Sequence, residues 1–529
     1  MTRPQFTVIW EPRNMNSFLR KNTVPLITFA VFAVLFITAA QGMEKKDFVI
    51  TLLRGLSVGS VTFLVASGFS LIFGLLDVLN LAHGTLFMIG AYIGWTVYVR
   101  PDTFVDLLTP LALILSGFAL ADVYPLLATR IRLGLSMKRI LPWTLILVSI
   151  LLFSFVLPKY PISFWDIGTY GQSPVTYSFM ADQGTPLAAP AAVFTEISAP
   201  LALIGLLLAS IFGALGLSLF NNDSQQQIKL HWKNFVSFAV LLLLALLTFI
   251  FNESLTAALA GLSSNWLFVA AVLVAALSGA GLGALIESIL IRPLYIRPIY
   301  QLMLTLGMSA IGIEVVRAIW GRPEFVMPKP EFFSGTGGVC PATNFADWWA
   351  NHCSTILLLD GRVRVYNEIF IPIVGVVVLI SIWMLLQRTR LGMVIRAGVQ
   401  DREMVEALGI NVRRVFTMVF GLGVGLAALG GILAAPSMGL SNVMGESLFL
   451  NALIALAIGG LTNYPGAALG SVLVGLIQQF IIKYGQIGIA IPFTDIIFKP
   501  TPPLVPASTV LLMVIILLIL PNGLLGKKE

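Results

Sequence analysis

The chain has 529 residues, of which 57% are hydrophobic and 11% charged, with a formal net charge of +7. Soluble domains carry roughly 25% charged residues, so this composition excludes a string of water-soluble domains, as well as disordered and collagen-like chains. A mean hydropathy of +0.93 and only two cysteines, too few for a disulfide framework, leave an integral membrane protein.

A bilayer core about 30 Å thick needs roughly 20 apolar residues as helix. Runs of that kind lie near 24–41, 49–75, 81–99, 105–128, 140–157, 199–220, 234–251 and 265–290. They continue near 299–319, 370–387, 415–436, 448–460, 465–484 and 504–522. The pattern predicts an all-α, polytopic membrane helical bundle of about 14 spans. The first run follows a charged leader of over twenty residues and is long enough to span, so it is expected to be a retained helix rather than a cleaved signal.

Basic residues cluster in alternate connections: Arg130, Arg132, Lys138 and Arg139, then Lys229 and Lys233, then Arg292 and Arg297. The densest group is Arg388, Arg390, Arg396, Arg402, Arg413 and Arg414, and Lys527 and Lys528 end the chain. Cytoplasmic loops collect Lys and Arg, so these connections and both termini are expected in the cytoplasm. The +7 excess then needs no nucleic acid partner. Loop 320–369 falls outside and holds both cysteines; Cys340 and Cys353 are open between a disulfide and two free thiols. Residues 1–48 form a leader and an extra span, 49–100 the first part of a core, and 265–526 its second part. Between these parts, 101–264 adds about four spans, an even number that leaves the flanking orientation unchanged.

Three patterns bear on chemistry. The first is the stretch from Gly74 to Gly84, which carries Asp77, Asn80 and His83 at membrane depth, where polar groups are costly. A spacing of three puts them on one helix face, and the bracketing glycines suit a broken helix whose ends hold a polar solute on a translocation pathway. A short turn with a capping Asn and a packed His is the competing reading. Glycines four apart form the second pattern: Gly55 and Gly59, Gly279 and Gly283, Gly421 and Gly425, Gly466 and Gly470. Small residues at that spacing let helices pack closely.

The third is the basic loop 388–414, in which Asp401 is placed to cap a short helix containing Glu403, and Gly409 to stop it. Met404, Ala407 and Leu408 recur at helical spacing and give that helix an apolar face. It reads either as a docking element for a soluble partner or as an incidental helix in a positive-inside loop. Glu287 and Glu314, in or near spans, are the acids an ion-coupled carrier would use. The sequence contains no P-loop, His-Glu-x-x-His or Gly-x-Ser-x-Gly motif, and its three histidines are scattered. No catalytic or metal site is expected.

The stretches Gly55–Ser60, Leu71–Gly74 and Leu79–Tyr92 resemble the start of branched-chain amino acid ABC permeases, the LivH-like subunits. Ile291–Leu294, Arg390–Ala397, Ala407–Val412, Gly459–Ala467 and Leu520–Gly526 are similar to later segments of the same family. Thr462 and Asn463 stand where a Gly-Ser pair is common, and Leu81 replaces a common Phe. The resemblance implies a non-enzymatic transport subunit in a prokaryotic plasma membrane. It has no cofactor of its own, ATP and Mg being bound by separate P-loop ATPase subunits. A second permease chain, a soluble substrate-binding protein and membrane lipid are the other implied partners. The loop around Glu406, Ala407, Leu408 and Gly409 matches the family's coupling segment, so that with Glu403 and Met404 it is the expected coupling helix on which the ATPase docks. Branched-chain amino acids are the expected solutes, with urea or short amides as the alternative.

Overall fold

The computed structural model describes residues 43–120, 123–124, 135–162, 196–220, 232–295, 297–320, 324–400, 402–490 and 497–526. Every apolar run from 49 onward coincides with a helix over its described residues in the main, the helix of run 105–128 ending at Ala119; the first run, 24–41, lies outside the described residues. Among the described residues, ten helices are long and apolar enough to cross a membrane. Three of the other predicted runs are shorter helices, of 17, 16 and 16 residues.

The chain divides into two compact units. The first comprises Met1–Tyr92, Val272–Glu324 and Pro328–Glu529. Its described helices begin with α1 (Lys45–Leu76) and the start of α2 (His83–Val99). The second unit comprises Ile93–Ala271 with Phe325–Met327, and holds α3 (Pro101–Ala119), α4 (Leu135–Val156), α5 (Ala199–Phe220), α6 (Trp232–Ile250) and α7 (Asn252–Ala260). There Ala112, Leu113, Val156, Ala202, Leu206 and Ala245 form the core. Thr109 bonds Thr248 at 2.9 Å, and Asn252 donates to Asp106 at 2.8 Å. These bonds give the polar groups partners inside an apolar bundle, where an unpaired one would be costly.

The first unit continues with α8 (Ser264–Ile286), which crosses the unit boundary, and α9 (Pro298–Trp320). After the outer loop come α11 (Ile371–Arg388), α12 (Arg390–Gln400), α13 (Arg402–Ala407), α14 (Val412–Met438), α15 (Met444–Gly459), α16 (Tyr464–Ile487) and α17 (Leu504–Ile519). A helix apolar on every side has to be enclosed. Accordingly, 72% of the apolar window of α1 and 83% of that of α14 are buried, against 11% for α9. Thus α1 and α14 form the centre, and α9 leaves most of its surface uncovered by the rest of the chain.

The centre is drawn together at glycines. A Cβ built on Gly59 would stand 2.9 Å from the Ser471 carbonyl oxygen, and one on Gly55 2.9 Å from Leu476 Cα, so α1 and α16 meet backbone to backbone. On Gly421 and Gly425 of α14 it would stand 2.8 and 3.0 Å from the carbonyls of Ala280 and Ala276 on α8. Gly466 and Gly470 of α16 lie against the backbone of Gly459 and Ala455 on α15.

Loop 324–370 is folded. It contains α10 (Phe345–Asn351) and a hairpin of β1 (Thr355–Leu358) with β2 (Gly361–Arg364), in which Thr355 faces Arg364. A second two-residue pair, β3 (Ile489–Ala490) with β4 (Ile497–Phe498), follows α16. Cys340 and Cys353 are disulfide-bonded, which decides the alternative the sequence leaves open. Trp348 donates to the Cys353 carbonyl at 3.0 Å, and Tyr366 to the Leu433 carbonyl of α14 at 2.8 Å. The loop is thereby tied to the central helices.

Overpacking a tight contact costs about 1–3 kcal/mol. Gly59→Ala is therefore expected to lower the melting temperature of the detergent-solubilised chain. Gly281→Ala, with nothing within 4 Å of the new carbon, should leave it unchanged or raised. Equal melting of the two variants would contradict backbone-to-backbone packing at Gly59.

Candidate functional site

α1 stops at Leu76, where Asp77 takes a left-handed φ of 53° and its amide bonds the Phe73 carbonyl. The break at 77–82 rules out the expected shared helix face for Asp77, Asn80 and His83. Asp77 is exposed, whereas Asn80 and His83 are fully buried. Asn80 Oδ1 accepts from the Ala82 amide at 3.1 Å, and its carbonyl accepts the His83 amide at 3.2 Å, so it opens α2. His83 Nε2 lies 3.1 Å from the Val65 carbonyl, with Phe69 and Phe449 packed on the ring. Gly84 sits against Gly445, where a side chain would overlap the backbone of α15. Thr305 of α9 accepts from the Leu81 amide at 3.2 Å and donates to the Leu79 carbonyl at 3.4 Å. Irregular backbone at membrane depth needs such partners. The geometry here is that of a capped, packed helix break.

At the same end of the unit, Glu287 opens a π-helical turn, Glu287–Ile291, and is fully buried. Its carboxylate accepts from Arg292 at 2.8 and 3.2 Å, from Tyr295 at 2.6 Å and from Thr417 of α14 at 2.6 Å. With all these donors in place Glu287 is a clamp between the end of α8 and α14, a poor choice for picking up a transported ion. Glu314 is exposed and paired with Arg317 at 2.5 Å.

The basic loop folds as α12 and α13. Asp401 lies outside the described residues, and Glu403 lies within the helix. Gly409, with φ of 81°, ends α13: its amide bonds the Glu406 carbonyl at 3.0 Å, and the Ile410 amide bonds Val405 at 3.3 Å. These two bonds with a Val405–Ile410 contact make a Schellman stop. Val405 is buried with Val412 and Phe416, and Leu76 and Tyr295 pack against that cluster. The opposite face, Met404, Glu406, Ala407, Leu408 and Gly409, is exposed, Met404 by 64% and Leu408 by 74%. α13 is thus fixed by one valine to the foot of α1, with two large apolar side chains facing out.

A cavity of about 340 Å³ lies near the other end of α1, lined by residues that include Arg54, Arg364, Glu368, Asn451 and Gln478. Glu368 lies in a second π-helical turn, Val365–Phe370, and is only 1% exposed. It accepts from Arg54 Nε at 2.9 Å and from the Arg364 amide at 2.9 Å, with Arg364 Nε at 3.5 Å. Lys329, partly buried nearby, has its ammonium pushed below the ordinary lysine range by burial and then by Arg364, while Glu368 pulls the other way. Asp77, Asn80 and His83 do not line this cavity. The sequence signal that points to it is a lone Arg54 inside the apolar run 49–75, since an ionisable residue within a span marks a functional site.

The described residues thus form an apolar, many-helix bundle with a folded loop near one end of α1 and an exposed short helix near the other. The chain belongs to the family described as branched-chain amino acid transport system, permease component, which it matches over residues 51–184 and 247–520. It is similar to the high-affinity branched-chain amino acid transport system permease protein LivH of Escherichia coli, at 24% identity over 62% of this chain and 92% of that protein. Similarity to the corresponding protein BraD of Pseudomonas aeruginosa is 29% identity over 32% of this chain, spanning about half (51%) of BraD's length. The fructose import permease protein FruF of Bifidobacterium longum is 28% identical over 21% of the chain and 34% of its own length. No solved structure matches.

Removing one partner of a buried ion pair strands the other, at a cost of about 3 kcal/mol when both are enclosed. Arg292 is 32% exposed, so Glu287→Ala is expected to cost somewhat less, read as a clear drop in melting temperature of the solubilised chain. An unchanged melting temperature would show that the Glu287 clamp does not hold α8 to α14.

Proposed function

We propose that the chain is the membrane permease subunit of an ATP-binding-cassette importer for branched-chain or other hydrophobic amino acids in a prokaryotic plasma membrane. P-loop ATPase subunits, which carry the ATP and Mg, dock on α13. A second permease chain completes the pathway, and a soluble binding protein delivers the solute on the side of the disulfide-stapled loop. The amino acid assignment draws on the similarity to LivH and BraD, whose alignments cover more of the chain than that of FruF.

The observation that carries the reading is the two-faced α13. A helix of six residues is too short to be stable alone, yet this one is closed by its Schellman stop and seated on the core through Val405. Its exposed Met404 and Leu408 suit burial in a partner's groove. ATPase closure then pushes on α13, and the push enters the bundle at Leu76, Tyr295 and Phe416. The Glu287 clamp and the glycine contacts pass it on as movement of packed helices rather than local bending.

Met404→Asp combined with Leu408→Asp places two charges in that interface. The double variant is expected to insert and melt like the wild type but to lose co-purification of the ATPase subunits. Undiminished recruitment of the ATPase would sink the docking role.

A further inference from the structure

We propose that the cavity between Arg54 and Arg364 is a binding site for the carboxylate of a small apolar amino acid entering the bundle. In naming the solute class it rests on the permease reading.

Position comes first. Arg54 and Leu76 are about 33 Å apart along α1 at 1.5 Å per residue, about the thickness of a bilayer core. α13 packs on Leu76. The cavity is therefore at the far end of α1 from the docking helix. The hairpin lies at this far end too, since a side chain at Gly361 would meet Ile50 of α1. That hairpin belongs to the loop stapled by Cys340 and Cys353, and disulfides persist in oxidising compartments. The cavity is on the side from which an importer receives its solute.

Charge comes second. Two guanidinium groups and one carboxylate line the space, leaving one positive charge in excess. Glu368 engages the Nε atoms of both arginines and the Arg364 amide. The terminal Nη groups, on side chains 40% and 49% exposed, have no protein partner among the described residues. Held at Nε, each guanidinium is oriented while its outer nitrogens stay available, the arrangement that binds a carboxylate with paired hydrogen bonds. Paired outer nitrogens match the two oxygens of a carboxylate, a group that a sugar or urea lacks.

Size and lining come third. The volume of about 340 Å³ is in the range of small-molecule sites. Val58, Val61 and Leu448 supply apolar wall for an aliphatic side chain. Glu368 and the Asn451 amide, which already accepts from Gln478 at 3.1 Å, offer oxygen acceptors to the ammonium group of the same solute.

The test is equilibrium binding of radiolabelled L-leucine to the solubilised full chain, with unlabelled L-leucine or L-leucinamide as competitor. Leucinamide keeps the ammonium and side chain but lacks the carboxylate charge. Saturable leucine binding is expected, with leucinamide competing at least about tenfold more weakly. Arg364→Gln, which leaves the Arg54–Glu368 pair intact, should weaken leucine binding by a similar factor and erase that discrimination. Absence of saturable binding, equal competition by the two compounds, or an Arg364→Gln protein that binds like the wild type would each overturn the site. The wild-type competition needs no variant, so misfolding of Arg364→Gln does not spare the proposal. ATPase co-purification from the same preparation separates the two readings. Recruitment without leucine binding removes the site alone, and leucine binding with carboxylate discrimination but no recruitment removes the ABC reading alone.

Discussion

The direct contact of backbones around α1 is the constraint on which the rest of the structure depends. Between helices in lipid there is no hydrophobic gain from leaving water, so association rests on close packing. Here α1 meets α16 at Gly55 and Gly59, and α14 meets α8 at Gly421 and Gly425. Gly68 of α1 in turn lies on Gly423 of α14. Helices this close have no room for side chains to rearrange at the crossing. A stiff, enclosed α1 gives the unit two ends with different chemistry.

Each end is marked by a buried glutamate in a π-helical turn. Glu287 is surrounded by Arg292, Tyr295 and Thr417 and locks helix to helix. Glu368 holds Arg54 and Arg364 by Nε and leaves their outer nitrogens for other partners. The extra backbone group of a π turn re-aims a side chain, and such turns occur often at functional sites. The same carboxylate–arginine chemistry thus serves rigidity near α13 and charge presentation near the stapled loop. The difference lies in how many donors surround each carboxylate.

Much of the fold was legible in the sequence, because an apolar run of bilayer length is itself the signal: each run from 49 onward holds a helix among its described residues. The stop at Gly409 was legible too, since a glycine after a short periodic segment has few other roles. Spacing misled at Asp77, Asn80 and His83. A left-handed residue at position 77 ended the helix and separated side chains that a continuous helix would have aligned. The folding of loop 324–370 was hidden because its order comes from one disulfide and a hydrogen bond to α14, which leave no periodicity. The charged cavity was hidden by distance: Arg54 and Glu368 are 314 residues apart, and a single arginine barely lowers the hydropathy of its run.

The permease reading proposed above requires the exposed hairpin residue Arg362 and the exposed Leu408 to lie on opposite faces of the membrane. Both native cysteines are engaged in the disulfide, so a cysteine introduced at either position is the one free thiol in the chain. Labelling Arg362→Cys and Leu408→Cys with a membrane-impermeant maleimide in right-side-out and inside-out vesicles measures the sidedness directly. Position 362 is predicted to react only in right-side-out vesicles and position 408 only in inside-out ones. Reaction of both from the same side would contradict a bundle that receives solute at one end of α1 and is driven from the other.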